Sequence, residues 1–185
     1  VPEVIESDLD AGFLLLEDLG NDTYLSCLTE ESASALYRDA GTALVKLQRA
    51  SRPGVFPAYD RAMLAREMAL YPEWYVARHK GVSLSDSQRA LMAHAFTLLT
   101  DAALAQPQVT VHRDWHSRNL MRLDADRNPG VLDFQDAVHG PITYDLVSLL
   151  RDAYIRWPED QQIDWAIRYW EAARRRSEEH TSELQ

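Results

Sequence analysis

Cysteine, lysine and long apolar runs are almost absent from this chain of 185 residues. Its single cysteine, Cys27, excludes a disulfide framework and a thiolate metal cluster, which is typical of a protein from a reducing cytoplasm. No apolar run approaches the roughly 18 residues of a membrane span, and the acidic start VPEVIESDLD does not resemble a secretory signal. The net charge of −10 leaves no basic excess for nucleic acid. These absences predict a cytoplasmic globular protein that binds neither membranes nor nucleic acids.

Both ends of the sequence are unusual. The first residue is Val1 rather than methionine, and the last ten residues, RSEEHTSELQ, resemble the translation of a sequencing-adapter oligonucleotide. We therefore expect a chain that is truncated at both ends, in which residues 176–185 do not belong to the fold. The alternative is a polar natural tail.

Hydrophobic periodicity and turn residues predict a mostly helical chain with a few short strands. Helices are expected over residues 29–50, 59–79 (bent near Pro72), 85–105, 142–156 and 160–175. Strands are expected over residues 12–17, 109–111, 120–123 and 131–132, the last two forming a hairpin. Gly140-Pro141 is interpreted as the start of the fourth helix, because proline suits a first helical turn.

Two of these helices have specific signals. Thr29 is a good N-cap for the first helix, whose apolar face is Ala33, Leu36, Ala40, Leu44 and Leu47. Ser85 and Gln88 form a predicted capping box at the start of the helix over 85–105. In that helix the periodicity places an apolar face inward, formed by Leu91, Ala95, Leu98 and Ala102.

The segment with the clearest chemistry is HRDWHSRN, residues 112–119. It matches the kinase catalytic-loop pattern H-R-D-L-x-x-x-N except that Trp115 replaces leucine. Fourteen residues after Asn119, the sequence Leu-Asp-Phe-Gln places Asp133 where such enzymes carry D-F-G. Phosphoryl transfer requires a carboxylate that orients the attacking hydroxyl and oxygen ligands that hold magnesium on the phosphates. A loop followed by a hairpin provides both from one local unit.

The candidate catalytic residues are therefore Asp114, Asn119 and Asp133, and the candidate metal ligands are Asn119 and Asp133. Each also has an ordinary structural interpretation as a turn, cap or loop residue. His112 is expected to pack under the loop and to hydrogen-bond the backbone. Asp145 either accepts hydrogen bonds from the backbone amides of the catalytic loop or favours its own helix N-terminus.

The motifs HRDWHSRN, LDFQDA and TYDLVSLL resemble H-x-D-x-H-x-x-N, D-[FWY]-[QED] and Y-D-L of the aminoglycoside phosphotransferase-like family of small-molecule kinases. The resemblance covers about residues 14–170. It implies that Asp114 is the catalytic base, that Asn119 and Asp133 bind Mg²⁺, that Asp145 braces the loop, and that ATP is the phosphate donor.

Within this family, VHRDWHSRNLM and NPGVLDFQDAVHGPITYDLVSLLRDAYI are most similar to bacterial cell-wall amino-sugar kinases. Those enzymes phosphorylate the anomeric hydroxyl of N-acetylmuramate and N-acetylglucosamine in peptidoglycan recycling. The resemblance implies the same small sugar substrates here. An aminoglycoside, which would suit the acidic chain, or another small alcohol is the alternative acceptor.

The segment LLLEDLGNDTYL is also similar to these kinases and implies that the backbone around Glu17, Asp18 and Leu19 contacts adenine. The alternative is a strand that ends in a solvated acidic turn. The implied fold class is α+β, the mostly helical C-terminal lobe of a protein-kinase-like fold with a small β-hairpin. Residues 1–20 are then a remnant of the small lobe and hinge, 21–175 the large lobe, and 176–185 the tail.

The phosphate-covering loop and the phosphate-binding lysine of the family are expected before Gly12, where the chain offers neither. Lys46 and Lys80 are the two lysines, and both follow the predicted hinge. Because that lysine helps to neutralise the transition state, we expect this chain alone to be nearly inactive and its full-length parent to be a kinase.

Other functions remain open at this stage. A protein kinase is disfavoured because His116 replaces a lysine and Gln135 replaces the D-F-G glycine. A metal-dependent hydrolase would use His112, Asp114 and His116 as ligands, and a helical scaffold would use none of them. Around the base, Trp115, His116 and Arg118 either pack the loop or face the substrate. The Arg118 guanidinium suits a lactyl carboxylate or a phosphate equally well.

Overall fold

The computed structural model describes the backbone of residues 1–182, and their side chains except those of residues 125 and 175–182. The end of the predicted tail, residues 183–185, lies outside the described residues. The described residues form six strands: β1 (Val4–Asp8), β2 (Phe13–Leu16), β3 (Gln108–Val111), β4 (Leu120–Met121), β5 (Gly130–Val131) and β6 (Val138–Pro141). The α-helices are α1 (Tyr24–Cys27), α2 (Glu30–Arg49), α3 (Arg61–Leu70), α4 (Asp86–Leu104), α5 (Tyr144–Leu150) and α6 (Glu159–Ser182).

A π-helix (Tyr71–His79) continues α3, and a short 3₁₀-helix (Ala125–Arg127) lies between β4 and β5. The α+β class predicted from the sequence is confirmed. No helix in the described part of the chain is long and apolar enough to cross a membrane. The chain divides into two compact units, the first formed by Val1–Ala50, His112–Ala137 and the chain from Thr143 onward, the second by Ser51–Val111 and Val138–Ile142.

The core of the first unit is built on α2. Thr29 caps this helix as predicted, because its Oγ1 accepts from the Ser32 amide at 3.2 Å while the Ser32 hydroxyl accepts from the Thr29 amide. The helix packs on α6 and α5 through the expected apolar face. Tyr37 adds an aromatic layer, since its ring stacks on Trp165 at 4.0 Å and its hydroxyl accepts from Trp157 Nε1 at 2.9 Å.

Two antiparallel hairpins also belong to the first unit. The predicted hairpin of β4 and β5 pairs Leu120 with Val131. The other hairpin joins β2 to β1, a strand that the sequence analysis missed. Every residue of β1 and β2 is exposed, so β1 lacks the alternation of buried and exposed residues by which a strand is recognised.

The second unit contains α3, the π-helix, α4 and the antiparallel pair of β3 and β6. Asp60 caps α3 by accepting from the Met63 amide at 2.8 Å. The change from α- to π-helix follows Leu70 and coincides with Pro72, which cannot donate a backbone hydrogen bond. The bend that was expected near Pro72 is thus a change of helix type.

The capping box of α4 is confirmed, since the Ser85 amide donates to Gln88 Oε1 at 2.9 Å and Ser85 Oγ accepts in return. The predicted buried face of α4 is wrong. Leu91 and Leu98 are 70% and 56% exposed, and Ala95 and Ala102 are exposed as well. Instead, a stripe at i, i+4 spacing is covered, formed by Met92, Phe96 and Thr100. Apolar residues occur on every side of α4, so hydrophobic periodicity alone does not determine which face of this helix is buried.

The predicted helix start at Gly140-Pro141 is also wrong, because both residues end β6 and α5 begins only at Tyr144. Gly140 has a packing reason: a Cβ there would lie 2.9 Å from Tyr59 Cβ. The helix ends at Leu150 rather than near residue 156. The residues that follow form an irregular segment that contributes to the site.

Candidate active site

The segment from His112 to Asn119, which follows β3 in sequence, folds into two tight turns. The Asp114 carbonyl accepts from the His116 amide at 3.0 Å, and the His116 carbonyl accepts from the Asn119 amide at 3.0 Å. Arg113 has a left-handed backbone with φ of 78°. Such conformations are uncommon for residues other than glycine and are found at functional sites. The chain reverses direction here so that Asp114 and Asn119 lie close together.

The three candidate catalytic residues converge through the side chain of Asn119. Its Nδ2 donates to the Asp114 carbonyl at 3.1 Å and lies 3.3 Å from Asp133 Oδ2. The Leu132 amide donates to the Asn119 carbonyl at 2.9 Å, which joins the hairpin to the loop. Asp133 also has a left-handed backbone, with φ of 64°, and Gln135 Nε2 donates to its other carboxylate oxygen. The sequence spacing thus produces one cluster.

The cluster has the chemistry of a magnesium site. Carboxylate and carboxamide oxygens are ligands that Mg²⁺ accepts, and the exposed Asp133 carboxylate is accessible to an ion. Asn119 directs its amide nitrogen at Asp133, so this carboxamide must turn by half a rotation to present its oxygen to a cation. Within the described residues, no three His, Cys, Asp or Glu side chains are grouped as metal ligands. This counts against the hydrolase interpretation.

Asp145 holds the start of the catalytic loop. Its buried carboxylate accepts from the His112 amide at 2.7 Å and from the Arg113 amide at 3.0 Å, which confirms the first of its two predicted roles. Burial raises the pKa of Asp145 to about 6, while the two amide donors oppose that shift and the Asp114 charge adds to it. A carboxylate is thus kept in an unfavourable environment to orient two backbone groups.

His112 and Trp115 support the loop from below. Burial lowers the pKa of His112, against the opposing influence of the nearby Leu132 backbone and of the Asp114 and Asp133 charges, so the ring is neutral near pH 7. The structural role expected for His112 agrees with this. The Leu132 backbone acts on the His112 ring as a hydrogen-bond partner would, although neither ring nitrogen reaches full hydrogen-bond geometry with a described residue. Trp115 is only 1% exposed and packs edge-on against His112, so it does not face a substrate.

Asp152 is a functional candidate that the sequence analysis missed. Its Oδ2 accepts from the Ser117 amide at 2.8 Å and its Oδ1 accepts from the Tyr154 amide at 2.9 Å. The catalytic loop is therefore held near both ends by carboxylates, one at the start of α5 and one just after its end. Asp152 lies inside the helix predicted over residues 142–156, whereas α5 ends at Leu150, so the sequence offered no signal that this aspartate would reach the loop.

The predicted hinge residues form an irregular segment after β2. Glu17 pairs with Arg127, and Asp18 Oδ1 accepts from the Gly20 amide at 2.8 Å in a turn. Leu19 is buried, and its backbone makes no hydrogen bond to any described residue. The acidic turn is thus present. Contact with adenine stays a prediction.

Comparison with known sequences points to one family. The phosphotransferase enzyme family matches residues 1–184. Proteins named N-acetylmuramate/N-acetylglucosamine kinase are 49% identical over 173 residues in Pseudomonas putida and 52% identical over 178 residues in Neisseria meningitidis. Each alignment covers 94% of this chain but only 50% and 53% of the respective relative. The chain therefore spans about half the length of these relatives.

Solved structures agree on the fold. The ADP-bound aminoglycoside phosphotransferase APH(2'')-Ib superposes with a TM-score of 0.60 at 17% identity, over 94% of this chain and 62% of that one. The gentamicin complex of APH(2'')-IIa superposes with a TM-score of 0.62 at 18% identity, with the same coverage. At these identities the likeness concerns the fold alone.

Proposed function

Because this chain belongs to the phosphotransferase enzyme family, we propose that it carries the catalytic loop and the metal-binding residues of an ATP-dependent small-molecule kinase. One observation carries the proposal, namely the contact of the Asn119 side chain with both the Asp114 carbonyl and the Asp133 carboxylate. Since the chain spans about half the length of its relatives, the activity is proposed for the full-length parent protein. We expect the isolated chain to turn over little.

The proposed acceptor is a hydroxyl group of N-acetylmuramate or N-acetylglucosamine, and specifically the anomeric hydroxyl. The assignment of these sugars is supported by relatives named N-acetylmuramate/N-acetylglucosamine kinase, which share 49% and 52% sequence identity with this chain over 94% of its length. Aminoglycosides are the second candidate, because polycations would suit a chain with a net charge of −10. A phosphorylation screen of the parent protein against both amino sugars, an aminoglycoside and choline separates these possibilities.

In the proposed mechanism, Asp114 accepts a hydrogen bond from the acceptor hydroxyl and orients its oxygen towards the γ-phosphate. In this structure Asn119 fixes the loop by binding the Asp114 carbonyl through Nδ2, and after its carboxamide turns, its oxygen would hold Mg²⁺ together with Asp133. The metal, when bound, neutralises charge on the phosphates. Asp145 keeps the loop amides in place. The backbone of residues 17–19 is proposed to bind adenine.

The test is Asp114→Ala in the full-length parent, with steady-state phosphorylation of N-acetylmuramate as the assay. Loss of the base predicts a fall in kcat of roughly 10²–10⁴-fold, with the dissociation constant of ATP unchanged. Asp126→Ala is the matched control, because this exposed aspartate lies in the turn between β4 and β5, outside the cluster. An unchanged kcat for Asp114→Ala would refute the assignment of the base, whereas a wild-type parent without any turnover would favour a scaffold.

A further inference from the structure

A cavity of about 370 Å³ lies in the first unit, where the chain continues past α5. Its lining includes Asp152, Tyr154, Arg156 and Gln162. The size is within the range of small-molecule sites. Nothing in the proposed catalytic mechanism uses it.

Tyr154 connects this cavity to the catalytic loop. Its ring packs edge-on against His116, with the ring centroids 5.5 Å apart, and the His116 amide donates to the Asp114 carbonyl. The side chain of Tyr154 remains 49% exposed. Aromatic rings that combine an accessible apolar face with a polar hydroxyl suit ligands that have both apolar and polar surfaces. A sugar ring is such a ligand.

Arg118 supplies a positive charge beside the Tyr154 ring. Its guanidinium carbon lies 4.9 Å from the centroid of the Tyr154 ring, a cation–π arrangement that limits the orientations of this long side chain. No carboxylate among the described residues pairs with Arg118, whereas Arg151 of the cavity lining lies 3.9 Å from Glu159. A planar guanidinium held in this way is suited to bidentate binding of an external carboxylate or phosphate.

Asp152 fixes the geometry of this arrangement. By accepting from the amides of both Ser117 and Tyr154, it joins the residue that precedes Arg118 to the residue that carries the aromatic ring. The carboxylate is itself buried, so the two charge-assisted hydrogen bonds are shielded from water. Arg118 and Asp114 therefore lie on one loop that Asp152 braces, and the Tyr154 ring packs against that loop.

We propose that Arg118 and Tyr154 form an acceptor subsite for an anionic sugar, in which Arg118 binds the carboxylate of the substrate and the Tyr154 ring supports the sugar. This inference rests on the proposed function. N-acetylmuramate differs from N-acetylglucosamine by a lactyl ether that bears a carboxylate, so the subsite discriminates between the two. If Arg118 binds the phosphates of ATP instead, its substitution should raise the KM for ATP and leave the preference between the two sugars unchanged.

The experiment is Arg118→Gln in the full-length parent, with kcat/KM measured for both sugars and KM for ATP. The ratio of kcat/KM for N-acetylmuramate to that for N-acetylglucosamine is expected to fall roughly 10-fold, because a charge-assisted hydrogen bond is lost only with the anionic sugar. Arg118→Lys should retain part of the ratio, since it keeps the charge and loses the planar fork. The exposed Arg122 provides the control Arg122→Gln, which should leave the ratio unchanged.

The outcomes separate the two claims. A wild-type parent that phosphorylates both sugars, together with an Arg118→Gln variant whose ratio is unchanged, overturns the subsite and leaves the kinase assignment standing. An unchanged ratio with an increased KM for ATP also overturns it, in favour of a phosphate contact. A wild-type parent that phosphorylates neither sugar overturns the proposed function and the subsite together.

Discussion

Asp145→Asn tests whether a buried carboxylate orients the catalytic loop at a cost in stability. The carboxylate accepts from the amides of His112 and Arg113 at 2.7 and 3.0 Å, in a site that raises its pKa to about 6. Asparagine has nearly the same shape, but it remains neutral and has only one acceptor oxygen. The substitution therefore removes the charge and one of the two acceptors without opening a cavity.

The magnitude follows from the linkage between the pKa and stability. The ordinary pKa of an aspartate is about 3.9, so a folded-state pKa near 6 corresponds to about 3 kcal/mol. Because the folded state binds the proton more tightly than the unfolded chain, the stability that protonated Asp145 contributes is fully present below pH 4. It is lost as the pH rises through 6. The asparagine variant lacks this dependence.

The measurement is the free energy of unfolding of the wild-type protein and of Asp145→Asn by urea titration, from pH 4 to pH 7. We expect the advantage of wild type over the variant to shrink by about 2 kcal/mol across this range, since part of the change falls below pH 4. At pH 7 the variant should have a lower kcat than wild type, although the stability advantage of wild type is smallest there, since the variant leaves one loop amide without an acceptor. Asp126→Asn, an exposed carboxylate, is the control. A difference that stays constant or grows with pH would refute this explanation.

Two substitutions test packing, one in each unit. Tyr37→Phe removes the acceptor of the buried Trp157 indole and should destabilise the first unit by about 1–3 kcal/mol in urea unfolding; no change would show that the hydrogen bond contributes nothing net. Gly140→Ala places a methyl group 2.9 Å from Tyr59 Cβ, so thermal unfolding should reveal a loss of about 1–3 kcal/mol. The control Gly41→Ala in α2 has 4.0 Å of clearance and should be neutral or stabilising.

Local signals in the sequence predicted much of the fold correctly. The caps of α2 and α4 are hydrogen bonds between residues three positions apart, so Thr29 and Ser85 could be recognised from their sequence neighbours alone. The predictions were wrong where contacts with distant chain segments determine the local structure. The buried face of α4 depends on its packing partners, and Gly140-Pro141, which resembles a helix start, is instead drawn into β6 by pairing with β3.

The candidate site divides in the same way. Asp114, Asn119 and Asp133 were identifiable because one short loop and one hairpin carry all three at a spacing that phosphoryl transfer requires. The sequence by itself thus determined which residues meet, since the contacts of the Asn119 side chain with the Asp114 carbonyl and the Asp133 carboxylate are local in sequence. Only the tertiary structure decided that Trp115 is buried and that Asp152 and Tyr154 reach the loop. The contacts of Asp152 and Tyr154 join segments more than thirty residues apart. No local sequence pattern specifies which distant segment a residue will pack against.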